Sequence, residues 1–214
     1  MMIDQILRIA PVIPVLVIED VRLAQPIAKA LVAGGLPVLE VTLRTPAALE
    51  AIQEMRKVDG AIVGAGTVLN EIHLRAALDA GSQFIVSPGL TDRLVEAAIA
   101  SETPFLPGIA TASDIMRGLD CGLSHFKFFP ATASGGIPAL RALSAPFAGA
   151  RFCPTGGITQ ETVSHWLAME SVLCVGGSWL VSPGVSDTQV IEMRARDARL
   201  FCSQGSLSGD RIDR

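Results

Sequence analysis

Eight short runs of Val, Ile, Leu and Phe recur along the chain, and longer stretches with helical periodicity lie between them. The runs are Val12–Ile18, Val38–Leu43, Ala61–Ala65, Phe84–Ser87, Phe105–Gly108, Phe126–Phe129, Arg151–Thr155 and Val172–Val175. The amphipathic stretches include Val21–Ala33, Pro46–Lys57, Glu71–Ala80, Asp92–Ala100, Ala112–Leu119 and Gln160–Ala168. Asp20, Thr45, Asn70, Thr91, Thr111 and Thr159 precede them as candidate N-caps, whose side-chain oxygen takes an orphan amide. Gly34, Gly81 and Gly122 fall where helix ends call for a left-handed residue. Strands alternating with helices imply a parallel sheet with crossover helices. At 214 residues, eight such units fit a compact (β/α)8 barrel better than an open doubly wound sheet. The fold expected is therefore α/β, a single-domain (β/α)8 TIM barrel over residues 1–201. Residues 202–214 are polar and rich in Ser and Gly, and read as a flexible tail.

Composition narrows the function classes. Half the residues are hydrophobic and 18% are charged, which supports a large core and excludes disorder for most of the chain. A net charge of −4 with scattered Lys and Arg, apart from Arg194, Arg196 and Arg199, offers nothing to nucleic acid or an anionic membrane. No apolar run approaches the roughly 18 residues of a membrane span. Pro11–Ile18 has no basic leader or Ala-x-Ala site, so it is not read as a signal peptide. Cys121, Cys153, Cys174 and Cys202 form no CxxC pair, and three of them lie in or beside apolar segments. Free thiols and a reduced, cytoplasmic protein are expected.

In a barrel of this kind function sits where strands end and βα loops begin, and the unusual residues concentrate there. Of the three lysines, Lys29 and Lys57 lie in helical patterns and read as solvated. Lys127 lies inside His125-Phe126-Lys127-Phe128-Phe129-Pro130. Alternation puts Phe126 and Phe128 on one face and Lys127, with His125 and Phe129, on the other. An amine facing the barrel interior is poorly solvated, which favours its neutral, nucleophilic form and hence a Schiff base with a carbonyl compound. In Val38-Leu39-Glu40-Val41-Thr42-Leu43-Arg44 the same alternation turns Glu40, Thr42 and Arg44 inward. Inward charges are costly unless paired or used. One reading is an internal Glu40–Arg44 ion pair. The other gives Glu40 proton transfer and Arg44 a substrate carboxylate, held by the guanidinium fork.

Two Gly-Gly pairs close the last strands, in Pro154-Thr155-Gly156-Gly157-Ile158 and Val175-Gly176-Gly177-Ser178. They let main-chain amides approach an anion, and a short helix expected near Ser178 would add its N-terminus. That is where such barrels commonly hold a phosphate. Gly64-Ala65-Gly66-Thr67 can bring Thr67 and amides to a carboxylate, while Ser87-Pro88-Gly89 and Pro107-Gly108 shape pocket walls. His73 and His165 fall on outer helices and His125 near the start of its strand, so no metal is expected, and neither HExxH nor GxSxG occurs.

Together Val-Leu-Glu40-Val-Thr-Leu-Arg44-Thr, Gly-Ala-Gly-Thr67, Ser-Pro88-Gly, Phe-Lys127-Phe-Phe-Pro, Pro-Thr-Gly156-Gly157-Ile and Gly-Gly-Ser178-Trp-Leu resemble the class I 2-keto-3-deoxy-6-phosphogluconate (KDPG) and 4-hydroxy-2-oxoglutarate aldolase family, in order over about residues 10 to 181. The resemblance implies a homotrimeric barrel of the Entner–Doudoroff route that splits the phosphorylated 2-keto acid into pyruvate and glyceraldehyde 3-phosphate, without a cofactor. It implies Lys127 as the Schiff-base lysine and Glu40 as the general acid/base. Arg44 and Thr67 then lie at the pyruvate carboxylate, with Pro88 and Phe129 lining that pocket. Gly156, Gly157 and Ser178, with Gly177 beside them, hold the phosphate. The sequence departs from the pattern at Ala131-Thr132-Ala133-Ser134-Gly135-Gly136, which lacks an acidic residue, in a short N-terminal helix, and beyond Pro183. Alternative functions are an aldolase preferring 4-hydroxy-2-oxoglutarate or the galactonate-derived phosphosugar, a non-covalent phosphosugar isomerase, and a silent sugar-phosphate sensor.

Overall fold

In the computed structural model, whose described residues are 1–182 and 186–201, the alternation becomes a ring of parallel strands wrapped by helices. The strands are β1 (Val12–Leu16), β2 (Val38–Thr42), β3 (Ile62–Gly66), β4 (Ile85–Val86), β5 (Phe105–Leu106), β6 (Gly108–Ile109), β7 (His125–Phe128), β8 (Arg151–Phe152) and β9 (Val175–Gly177). The helices are α1 (Ile3–Leu7), α2 (Ala24–Ala33), α3 (Ala48–Met55), α4 (Glu71–Asp79), α5 (Asp92–Ala100), α6 (Ala112–Asp120), α7 (Gly136–Ser144), α8 (Val163–Leu167) and α9 (Thr188–Arg199).

Six strands pair in the order β5-β4-β3-β2-β1-β9 and three in the order β6-β7-β8. Two joints close these into one ring. Pro107 alone separates β5 from β6, and its missing N–H interrupts the ladder without ending the strand. Parallel bridges Phe152↔Val172 and Thr155↔Gly176 join β8 to β9. With β5 and β6 counted as one strand, the ring is the eight-stranded (β/α)8 barrel expected.

Side-chain alternation sorts the apolar residues into two layers. Leu39, Val41, Phe126, Phe128 and Phe152 face outward into the layer beneath the helices, where Phe128 also meets Trp166. Ile13, Val38, Phe84, Val86, Leu106, Cys153, Leu173 and Cys174 fill the barrel interior, and Ile6 and Leu7 of α1 close it from the N-terminal end. Gly64 makes room for this filling, since a Cβ there would stand 2.5 Å from the Phe84 ring.

Several local expectations meet a different outcome. Asn70, Thr91 and Thr111 cap α4, α5 and α6 through their side chains, and Asp20 caps a single 3-10 turn, Val21–Leu23, that precedes α2. Thr45 does not cap α3: its hydroxyl donates to Ile18 O at 2.5 Å. Thr159 does not cap α8, because its amide donates to Thr162 Oγ1 and the helix starts later. Gly81 and Gly122 take positive φ, but the left-handed residue after α2 is Gly35, not Gly34. Gly34 serves contact instead, since a Cβ there would lie 2.4 Å from Ala195 Cβ of α9. The last strand runs Val175–Gly177 rather than Val172–Val175, because Gly176 and Gly177 carry the ladder to Ile13 and Pro14 without needing side chains. Cys153 and Cys174 are buried free thiols and Cys121 is an exposed one, while Cys202 and the expected tail over 202–214 lie outside the described residues. Among the described residues no helix is long and apolar enough to cross a membrane.

Candidate active site

Lys127 and Glu40 stand 87 positions apart in sequence, and the barrel brings their side chains face to face across its interior. Lys127 Nζ donates to Glu40 Oε1 at 2.8 Å, and the residues are 5% and 3% exposed. The inward charge on β2 is thus paired with Lys127 and not with Arg44. Two charges so thoroughly removed from water cost several kcal/mol each, only partly offset by their attraction. A buried pair at the C-terminal side of a barrel is accordingly a poor device for stability and a good one for moving a proton. The Phe129 ring centroid lies 5.5 Å from Nζ, so one wall beside the amine is aromatic.

The backbone around this pair is built for close approach. Gly66, at the end of β3, lies against the Glu40 carboxylate, and a Cβ there would fall 2.2 Å from Oε1. The next residue, Thr67, holds φ at 60°, a left-handed value uncommon for a non-glycine residue. Such strain persists only where the surroundings enforce it and is concentrated at functional sites. Gly108 registers with Lys127 in the sheet, and a Cβ there would lie 2.2 Å from Pro88 O. The loop after β4 therefore presses directly on the strand beside the lysine. Ser87, fully buried, fixes that loop by donating to Gly89 O at 2.6 Å.

Arg44 stands exposed at the mouth, just past β2, with Nε 3.3 Å from Thr42 Oγ1. Gly156 and Gly157 hold φ of 103° and 75°, a conformation that side chains rarely adopt. Gly156 packs 3.4 Å, measured from an added Cβ, from the Phe129 ring, and Thr132 fills the space beside Gly157. Among the described residues, the amides of Gly156, Gly157 and Ser178 reach no acceptor of the chain, and all three lie just past the ends of the last two strands. Among the described residues no helix starts at Ser178: residues 179 and 180 form a turn, and Arg194 Nη1 donates to the Trp179 and Leu180 carbonyls. This corner thus presents acceptor-free amides and the exposed Ser178 hydroxyl.

Sequence reasoning overlooked some contributors. Gly66 seats the carboxylate, Thr132 abuts Gly157, and buried Thr155 occupies the space left by Gly176, where a Cβ would lie 2.3 Å from its Oγ1. The signal was present in the glycines at Gly64 and Gly66, one strand period apart and both facing inward. His125 lies at the opposite end, with Nε2 2.9 Å from Asp4 Oδ1. Among the described residues no group of three or more His, Cys, Asp or Glu is placed to hold a metal ion. A hydrogen bond with Cys153, reinforced by burial, pushes the Cys174 thiol well up from its ordinary value, and this keeps it protonated beneath the site.

Comparison with known proteins agrees with this geometry. The family model for KDPG and KHG aldolases matches residues 3–194. The 2-dehydro-3-deoxy-phosphogluconate aldolase of Zymomonas mobilis is 57% identical over 199 residues, covering 93% of this chain and 96% of its own. A crystal structure of the Zymomonas mobilis ZM4 2-keto-3-deoxy-6-phosphogluconate aldolase with 3-phosphoglycerate superposes with a TM-score of 0.94 at 56% identity, covering 95% of this chain and 97% of that one. The KDPG aldolase of Legionella pneumophila, solved with pyruvate captured as a covalent carbinolamine, gives a TM-score of 0.90 at 41% identity over 93% and 98% of the two chains. A barrel of this topology, a buried Lys127–Glu40 pair at its C-terminal mouth and a family match over nearly the whole chain converge on one conclusion: the chain belongs to the KDPG and KHG aldolase family.

Proposed function

We propose that this protein cleaves 2-dehydro-3-deoxy-6-phosphogluconate to pyruvate and D-glyceraldehyde 3-phosphate through an imine on Lys127. The observation that carries the mechanism is the 2.8 Å contact between Lys127 Nζ and Glu40 Oε1 in a buried setting. Glu40 accepts the ammonium proton, and the neutral amine attacks the C2 ketone. Glu40 returns this proton to the carbinolamine hydroxyl, which leaves as water, and the protonated imine so formed draws electrons from the adjoining bond. Glu40, through a water, takes the C4 hydroxyl proton, the C3–C4 bond breaks, and the aldehyde leaves. Glu40, through the same water, passes that proton to C3 of the remaining enamine, and hydrolysis of the resulting imine frees pyruvate and Lys127. Arg44 and Thr67 hold the carboxylate, with Pro88 and Phe129 as pocket walls. Gly156, Gly157, Gly177 and Ser178 hold the phosphate. Fixing both ends of the substrate makes the bond cleavage effectively unimolecular.

The acceptor-free amides of Gly156, Gly157 and Ser178 favour a phosphorylated substrate over 4-hydroxy-2-oxoglutarate. The same reading places the enzyme in the cytoplasm, on the Entner–Doudoroff route, as a homotrimer. Leu69 and Ile72, 51% and 77% exposed around the start of α4, are the kind of apolar surface that a second copy covers.

Borohydride added with pyruvate should leave a pyruvate-sized mass on the peptide containing Lys127. An unmodified peptide would sink the covalent mechanism. Glu40→Gln should retain the trapped adduct while losing about 10²- to 10⁴-fold in turnover, and undiminished turnover would remove Glu40 from proton transfer. Comparing kcat/KM on the phosphorylated substrate and on 4-hydroxy-2-oxoglutarate decides between the two aldehyde halves.

A further inference from the structure

Arg44 has a long side chain on a loop at the barrel mouth, and something must aim it. Its rotamer freedom is large, and a guanidinium recognises a carboxylate only when its fork is presented in the carboxylate plane. Two threonine hydroxyls bracket it. Thr42, 2% exposed and facing inward at the end of β2, donates its hydroxyl proton to Leu16 O at 2.9 Å. That bond fixes the hydroxyl rotor and leaves its lone pairs turned toward Arg44, whose Nε donates to the same oxygen at 3.3 Å. Thr45 donates to Ile18 O at 2.5 Å, tying the far side of the loop to the segment after β1. The Arg44 loop is thus pinned on each side to the main chain leaving β1. The Nε contact leaves both terminal nitrogens of the guanidinium uncommitted, since Arg44 has no further partner among the described residues.

We propose that Thr42 is a positioning residue for carboxylate recognition: the relay from Leu16 O through the Thr42 hydroxyl to Arg44 Nε orients the guanidinium toward the keto acid, with Thr45 anchoring the loop. This rests on the assignment of Arg44 to the substrate carboxylate. The hydroxyl is what matters, because a valine in its place fills the same volume but can neither accept from Nε nor donate to Leu16 O. Thr42 touches no reacting atom, so the chemical steps at Lys127 are untouched by its loss.

The experiment is borohydride trapping titrated with pyruvate and, separately, with acetone, which forms an imine but has no carboxylate. Thr42→Val should raise the half-saturating pyruvate concentration about tenfold, the size expected on losing a hydrogen bond to a charged group. The trapping rate at saturating pyruvate, its pH profile and the acetone titration should stay at the wild-type values. Thr42→Ser should restore pyruvate saturation, and Thr45→Val should weaken it without altering acetone. Thr42→Val added to Arg44→Gln should produce no further loss, because a relay acting through Arg44 is spent once Arg44 is gone. Additive losses, or an acetone titration shifted as far as that of pyruvate, would overturn the relay. If Arg44→Gln alone leaves pyruvate saturation unmoved, the carboxylate assignment fails first and takes the relay with it.

Discussion

One of the closest approaches in the site is between a glycine and the Glu40 carboxylate. Because a Cβ on Gly66 would lie 2.2 Å from Glu40 Oε1 and 2.7 Å from its Cγ, Gly66→Ala must displace the carboxylate, and Gly66 needs no unusual φ that would add backbone strain. A displacement of about 1 Å can cost on the order of a hundredfold in rate. Gly66→Ala should therefore lower kcat by about that factor while still trapping pyruvate on Lys127, and a kcat within twofold of wild type would mean that Glu40 does not work from this position. Legibility at this scale follows cost. Lys127, Glu40 and Arg44 stood out in the sequence because charge on an inward strand face has few explanations. Gly66 and Thr42 did not, because a small residue or a hydroxyl in a strand has many, and their roles depend on which side chain arrives from another strand.

Elements are legible where their determinants are local. Asn70, Thr91 and Thr111 cap the helices they precede, since the groups involved are three residues apart. Thr45 has the same local sequence logic, but Ile18 O, 27 positions away, takes its hydroxyl, and no pattern within one element announces that. The turn at residues 179 and 180, whose carbonyls accept from Arg194 of α9, is another such long-range tie. The reciprocal cap on α6 carries a pH signature. Burial pushes the Asp114 carboxyl up, but the amides of Ala110 and Thr111, the Thr111 hydroxyl and Arg117 outweigh it and hold the carboxyl below its ordinary value. With the folded value below the unfolded one, the cap contributes fully above the usual Asp range near about 3.9 and fades as pH falls through it toward the folded value. Asp114→Asn should destabilise the protein by about 1 kcal/mol at neutral pH. Thermal melts should show that difference shrinking below about pH 4, and a difference constant down to pH 3 would mean that the carboxylate charge is not what stabilises the cap.

At the scale of the whole barrel, chemistry and closure occupy opposite ends. The ring itself was legible, because eight apolar runs at regular spacing leave few alternatives. The role of the short N-terminal helix was not: Ile3–Leu7 plugs the ring from beneath, a purpose that exists only once a barrel interior needs filling. Ile6 and Leu7, each 1% exposed, pack against Ile13, Val38, Phe84 and Leu106, while Asp4 ties α1 to His125 and Arg8. The interior cluster also reaches Cys153 and Cys174, which lie one and two residues from Pro154 and Gly176 at the other end. Two outcomes are therefore distinguishable for Leu7→Ala. Close packing means that the cavity cannot simply refill, so stability should fall by about 2–5 kcal/mol, read as a lower denaturant midpoint. If the strands are stiff enough to isolate the mouth, kcat and KM measured well below the transition stay at wild-type values, and this is the expected result, since the Lys127–Glu40 pair is fixed by its own strands and by Gly66 and not by the plug. A raised KM with the fold intact would show instead that the interior filling transmits strain to the Gly-Gly loops, and that the phosphate site proposed there is held in shape from below.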